Sequence, residues 1–492
     1  MESVAEEVER VKAIVGRFFP IYETRVRPEA MAFYVRIDPH FLDQNFEGLR
    51  EELKNRSYIP ILRDEGGEHI LYVQRTPRAR FRGPLLNLSL LGLTLASTVY
   101  AGMLLWASYD RAENLLTLSN AYNATIYFAL PLMAILGTHE MGHYIVAKRH
   151  RVAASLPFFI PAPFTIIGTL GALISMREPI PNKKALLDIG IAGPLAGLAV
   201  AFPVTLMGLY MNSLDPRYVG PNVGGGLAVN LPFIYQMLLY VIPLPDNALL
   251  HPTAFAGWVG FLVTALNLLP AGQLDGGHIA RALLGDKSKY LSYAAFLALL
   301  VMGFVFFFSW LLLAFFVLLI GLRHPPPLND VSEIHVGRKA LGLVVLVVLI
   351  LSFVPEPLVQ IPVDVDFEFR DWEDPTLAIT TDELSLTDGY AVYSFLINNT
   401  GNVQIQIQLS FGPAVGNLAP GWEVMFTLVA GQDIRGGNAT FFLNATESAA
   451  AIVLIKAPDN VTPGQSPIVD ILAETIGEFS GVSAGLDVTV HT

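Results

Sequence analysis

The stretch GTHEMGHYIVAKRH, Gly137 to His150, closes an apolar run that begins near residue 122 and is long enough to cross a bilayer. Two histidines and a glutamate at that depth are costly unless they are paired or liganded. On a helix, positions four apart share a face, so His139 and His143 can both reach one ion while Glu140 stands beside it. This is the H-E-x-x-H spacing of zinc hydrolases, in which the glutamate is the general base. Lys148, Arg149 and Arg151 follow at once, and by the positive-inside rule they mark the cytoplasmic edge of the span. A lone helical histidine is usually a hydrogen-bonded core residue, but three ionisable groups within five residues of a lipid-embedded run ask for a metal.

The rest of the chain agrees with a membrane setting. Of 492 residues, 53% are hydrophobic and 15% charged, the composition of a multi-pass α-helical membrane protein. Apolar runs of about 20 residues or more lie near 84–107, 122–147, 185–211, 253–271 and 338–355, with a double-length run over 290–322. A hairpin turning near Phe306 to Trp310 makes about seven spans and puts the two termini on opposite sides; a single tilted helix would put them on the same side. The length of the run, the basic residues at Arg323 and at Arg338 and Lys339, and the sequons at Asn398, Asn438, Asn444 and Asn460 favour the hairpin.

Soluble regions flank this core. Residues 1–80 read as a small α/β domain: helices near 4–18 and 40–55, a strand at MAFYVRI, and a hairpin whose two alternating runs are separated by Gly66 and Gly67. No signal peptide precedes it, and the arginines of RTPRARFRG follow it, so the expectation is a cytoplasmic N-terminus. Residues 81–355 form the transmembrane core. Residues 362–492 alternate apolar and polar positions between Gly, Pro and Asn turns, which predicts an antiparallel, immunoglobulin-like β-sandwich outside the cytoplasm. That region holds 17 acidic residues against Arg370, Arg435 and Lys456, so the chain's formal charge of −12 is concentrated at one end. The chain has no cysteine, which excludes disulfides, thiolate ligands and a cysteine nucleophile. Nothing in it suggests a nucleic-acid partner.

Two histidines make half a site, because a catalytic zinc takes three protein ligands and keeps one position open. A second polar island, NLLPAGQLDGGH from Asn267 to His278, closes the fourth apolar run, which places Asp275 at a depth similar to the histidines. Pro270, Gly272, Gly276 and Gly277 loosen the backbone there, and a capping carboxylate at a helix end is the plain alternative role for Asp275. His278, nearer the expected exit, and Glu178, in the surface-like REPIPNKK, are rival ligands. Asn267 is the amide best placed to stabilise an oxyanion, with a helix–helix hydrogen bond as its structural alternative.

In this order, HEMGH, GTLGALISMREPIPNKKALLDIGIAGPLAG and NLLPAGQLDGGH resemble the site-2 protease family of intramembrane zinc metalloproteases, in particular the archaeal, cyanobacterial and chloroplast branch with a soluble N-terminal domain. The likeness covers roughly residues 30–355. It implies one zinc on His139, His143 and Asp275, Glu140 as general base and Asn267 beside the substrate. It further implies that Gly168, Thr169 and Gly171, in GTLGALISM, belong to a membrane-inserted hairpin that pairs with an unwound substrate segment. The small-residue stretch IAGPLAG, Ile191 to Gly197, suits close helix packing. The function expected is hydrolysis of transmembrane segments of membrane-protein substrates in a lipid bilayer, the cell membrane. The alternatives are a metal transporter, which needs polar residues at several depths and in which Glu140 would be superfluous, and a non-proteolytic membrane zinc binder, which loss of the glutamate or a histidine would signal, and all three are present.

Overall fold

The computed structural model describes residues 4–26, 30–76, 84–112, 114–218, 224–245, 248–459, 461, 464 and 466–492. Most of the RTPRARFRG cluster and the sequon at Asn460 lie outside the described residues. The chain divides into two compact units: residues 1–218 with 230–357, and residues 219–229 with 358–492. That 224–229 groups with the C-terminal region was not visible in the sequence.

In the first unit, helices α1 (Val4–Val15) and α2 (Leu42–Lys54) cover one face of a sheet of β1 (Ile21–Val26), β2 (Met31–Val35), β3 (Tyr58–Glu65) and β4 (Glu68–Arg75), in the order β1-β2-β4-β3. The β3–β4 hairpin turns at Gly66 and Gly67, both at positive φ (67° and 87°), as a tight two-residue turn requires. Strand β1 escaped sequence reading because it is an edge strand with no buried position, and so has no alternation to detect.

The helical core follows. Among the described residues, four helical segments are long and apolar enough to cross a membrane: Leu85–Asp110, Leu118–Arg149, Lys183–Leu214 and Asp275–Val305; Pro252–Leu268 and Ser309–Ile320 are shorter and apolar. Its elements are α3 (Pro84–Asp110), α4 (Leu118–Ala124), a π-turn (Thr125–Ala129), α5 (Leu130–Arg149), α6 (Lys183–Leu214), α7 (Phe233–Leu239), α8 (Pro252–Leu268), α9 (Asp275–Leu284), α10 (Ser288–Val305), α11 (Ser309–Ile320) and α12 (Val336–Ser352). A hairpin of β5 (Phe158–Pro161) and β6 (Thr169–Leu173) lies between α5 and α6.

The run over 290–322 is a helical hairpin, α10 and α11 breaking at Phe306 to Phe308 and packing together at Gly303 and Leu311. The fourth apolar run departs from expectation. Helix α8 ends at Leu268, and at 17 residues it is shorter than a lipid-matched span. Most of it is enclosed by other helices, so it has no need to match the bilayer. The chain then turns through 269–274, with Gly272 at φ +56°, and α9 begins at Asp275. Glycines make the turn possible: a Cβ on Gly276 would stand 2.1 Å from the Leu268 carbonyl oxygen, and one on Gly277 2.2 Å from that of Gly272.

The α/β domain sits on one end of this bundle. Residues 328–330 of the loop between α11 and α12 lie along β3: Leu62 N donates to Leu328 O at 2.8 Å and Leu328 N donates to Ile180 O at 2.9 Å. Leu328 completes the domain's apolar core. Lys54 pairs with Glu178 at 2.8 Å, Arg151 with Glu51, and Asp43 with Lys184, while Ser332 Oγ donates to Asp43 at 2.6 Å. Residues 151, 178, 184 and 328–332 therefore share one face with the N-terminal domain, as they would if α10 and α11 form a there-and-back pair.

The second unit pairs β7 (Leu227–Val229) with β8 (Leu358–Gln360) and packs two five-stranded sheets about one core. The strands are β9 (Phe367–Asp371), β10 (Thr381–Ser385), β11 (Tyr390–Asn399), β12 (Ile405–Phe411), β13 (Glu423–Val429), β14 (Gln432–Gly436), β15 (Asn438–Leu443), β16 (Ser448–Lys456), β17 (Ile468–Ile476) and β18 (Ser483–His491). The sheet orders are β10-β18-β17-β12-β15 and β14-β13-β16-β11-β9. The pairing is not wholly antiparallel: β10 runs parallel to β18. Alternation reports which face of a strand is buried; it carries no information on the partner's direction.

Candidate metal centre

Helix α5 carries the two histidines inward. Its start is set by the π-turn, whose widened backbone leaves the Tyr127 carbonyl to accept a hydrogen bond from Thr253 Oγ1 at 2.6 Å, tying α5 to α8. Further along, α5 packs on the small-residue face of α6. A Cβ on Gly142 would stand 2.6 Å from the Ala192 carbonyl oxygen. On the α6 side, a Cβ on Gly193 would stand 2.0 Å from His143 Nε2, and one on Gly197 3.1 Å from His139 Cβ. IAGPLAG thus does more than bring helices together: its two glycines leave the space that the two imidazoles occupy.

His139, Glu140 and His143 are 4%, 6% and 5% exposed, so any charge there is removed from water. Asp275, at the first position of α9, meets them from across the bundle. Its Oδ2 lies 3.3 Å from His139 Nε2 and 3.2 Å from His143 Nε2, and the two Nε2 atoms are 3.2 Å apart. The three donors form a nearly equilateral triangle. A tetrahedral zinc with bonds of about 2.0–2.1 Å requires neighbouring donors about 3.3 Å apart, so the triangle matches one face of that tetrahedron. His143 Nδ1 lies 2.8 Å from the Ile189 carbonyl oxygen, which can only accept. The proton is thereby held on Nδ1 and the Nε2 lone pair is left facing the other donors. Among the described residues this is the group whose His and carboxylate atoms converge as metal ligands do.

Asn267, near the end of α8, brings Nδ2 to 3.3 Å from His139 Nε2, so it belongs to the site. Glu140 is outside the donor triangle, and the backbone N–H of Ile174, just past β6, donates to its carboxylate. The two rival ligands do not join. Glu178 is engaged by Lys54, and His278 faces His324 instead.

The hairpin residues fall into two groups. Gly168 (φ +77°) lies against the α3 backbone, where a Cβ would be 2.4 Å from the Ser97 carbonyl oxygen, and Ser97 Oγ donates to Gly168 O at 2.6 Å. Thr169 is buried, its hydroxyl donating to Ile160 O at 2.8 Å and accepting from Gly171 N at 3.0 Å. These two anchor the hairpin. Gly171 (φ +95°) has open space around its Cα, and Leu170 and Leu173 beside it are exposed.

Residues 127–312, which contain all four of His139, Glu140, His143 and Asp275, match Peptidase family M50. That segment is thus similar to Peptidase family M50. Among its relatives is the probable zinc metalloprotease EGY1, chloroplastic, of Oryza sativa subsp. japonica, 35% identical over 239 residues, which are 46% of this chain and 40% of the relative. EGY1 of Arabidopsis thaliana is 32% identical over 245 residues, 47% of this chain and 43% of the relative. EGY2 of Arabidopsis thaliana, also named a probable zinc metalloprotease, is 31% identical over 245 residues, 46% and 41% of the two chains. The chain thus matches about two fifths of the length of these relatives.

Proposed function

We propose that this chain is a zinc metalloprotease of Peptidase family M50, an intramembrane endopeptidase that takes one zinc on His139, His143 and Asp275 and hydrolyses peptide bonds in transmembrane segments of membrane-anchored proteins. The observation that carries the reading is the donor triangle buried among helices long and apolar enough to span a bilayer, with Glu140 beside it but outside it. Zinc, when bound, supplies a Lewis acid that activates water and polarises a carbonyl. Glu140 accepts the proton of the attacking water and delivers it to the leaving amine. Ile174 N–H orients the Glu140 carboxylate, and Asn267 supplies an amide donor for the developing oxyanion. The Ile189 carbonyl keeps His143 in its ligating tautomer.

The β6 backbone, from Thr169 through Gly171, is the proposed binding edge for an unwound substrate. A helical substrate must release its own amide hydrogen bonds before cleavage, and a strand edge replaces them. Because the Gly168 and Thr169 side positions are spent on anchoring, recognition there falls to main-chain groups.

Two experiments bear on this reading. A zinc chelator should abolish cleavage of a membrane-spanning peptide by the purified chain, and added zinc should restore it, with helix content unchanged throughout because packing rather than metal holds the bundle. Cleavage that persists in metal-free protein would defeat the mechanism. The same reading places the N-terminal domain in the cytoplasm and, through seven crossings, the C-terminal region outside the cell membrane. An accessibility tag after Thr492 should then be labelled from outside in intact cells; protection of that tag would defeat the seven-span topology.

A further inference from the structure

His278 is left without a role by the site above, although it lies one helical turn beyond Asp275 on α9. Its ring meets that of His324, on the loop between α11 and α12, with centroids 4.2 Å apart and planes at 65°. Each Nδ1 rests on a backbone carbonyl: His278 on Leu274 O at 3.0 Å and His324 on Pro325 O at 2.7 Å. A carbonyl only accepts, so both protons sit on Nδ1 and both Nε2 atoms carry a bare lone pair. This is the arrangement that orients metal-ligating histidines, and it repeats the pairing of His143 with Ile189 O. Arg281, on the same helix as His278, is neutralised: it pairs with Asp330 at 2.6 Å and with Asp286 at 3.2 Å.

We propose that His278 and His324 form a second, weaker site for a divalent transition metal, zinc in the first instance, in which the ion bound for the His139–His143–Asp275 centre is first held. Imidazole ligands select zinc, copper or nickel over magnesium and calcium. With only two protein ligands the remaining positions fall to water, so the ion stays exchangeable, which a staging site requires and a catalytic site does not. The loop that carries His324 is the one that docks on the N-terminal domain. The staging role rests on the proposed zinc centre; binding by the pair does not.

The test is a cobalt(II) titration of the detergent-solubilised full chain, followed by d–d absorption, with zinc stoichiometry measured in parallel. Wild type should show a tight ion and then a weaker one. His324→Phe keeps the ring contact and removes a ligand; it should lose the weaker ion, retain the tight one and load zinc more slowly from the metal-free state. His278→Phe should behave in the same way. His139→Ala combined with His143→Ala should lose the tight ion and retain the weaker one. The proposal is overturned if both phenylalanine variants titrate as wild type, or if the weaker ion disappears with the double alanine variant. A wild type showing only an ion that His324→Phe removes would support the pair and overturn the staging role together with the proposed zinc centre.

Discussion

Glu140→Gln should lower cleavage of a membrane-spanning peptide by about 100- to 10,000-fold, the range that a positioned general base contributes, while zinc content stays at the wild-type level. The substitution nearly preserves shape, and the amide oxygen can still accept from Ile174 N–H, so the local packing has no reason to change. What is lost is the proton acceptor. Metal is retained because Glu140 is not among the three donors that converge. Turnover in proteoliposomes and metal analysis of the same sample separate the two effects. Cleavage surviving in Glu140→Gln would remove the glutamate from the mechanism.

Gly193→Ala should cost the chain its metal without touching a ligand. The added methyl would stand 2.0 Å from Nε2 of His143 and 2.4 Å from Cδ2, so the imidazole or α6 must move. The ring has little freedom, because Nδ1 is held by the Ile189 carbonyl on the same helix that carries the methyl. Overpacking of this kind costs about 1–3 kcal/mol, and disturbing the orientation of a ligand costs about 10- to 100-fold in metal affinity. Cleavage at limiting zinc should fall by a similar factor, and excess zinc should recover part of it. A control at Gly137, where a Cβ meets nothing within 4 Å, should bind zinc as wild type. Equal zinc affinity in Gly193→Ala and wild type would mean that the two glycines serve helix packing alone.

Much of the site was legible because its signals are local. His139 and His143 share a face by helix geometry alone, and their burial in an apolar run follows from composition. The break at Phe306 to Phe308 was legible from length, since 33 apolar residues exceed one crossing. Other features had no local signal. The π-turn at Thr125 to Ala129 has no sequence mark, and its effect depends on Thr253, more than a hundred residues away. Leu328 looks like a loop residue after three prolines, yet it completes the core of the N-terminal domain. The polar island at 267–278 read as the end of a span, whereas it is the turn between α8 and α9. A helix enclosed by protein is free to be short, and apolar length cannot distinguish that case from a helix in lipid.

By itself the sequence determined the apolar helical core, the α/β and β-strand regions that flank it, and the identities of the residues able to hold a metal, because hydropathy, charge and helical spacing act along the chain. The resemblance had named Asp275 as the third ligand; tertiary structure alone decided that its carboxylate meets the histidines, that Gly193 and Gly197 make room for them, and that His278 turns away to His324. Those outcomes depend on distances between segments as much as 136 residues apart, Asp275 and His139 among them. Side-chain type limits what can bind a metal; only packing brings the donors to within 3.3 Å of one another.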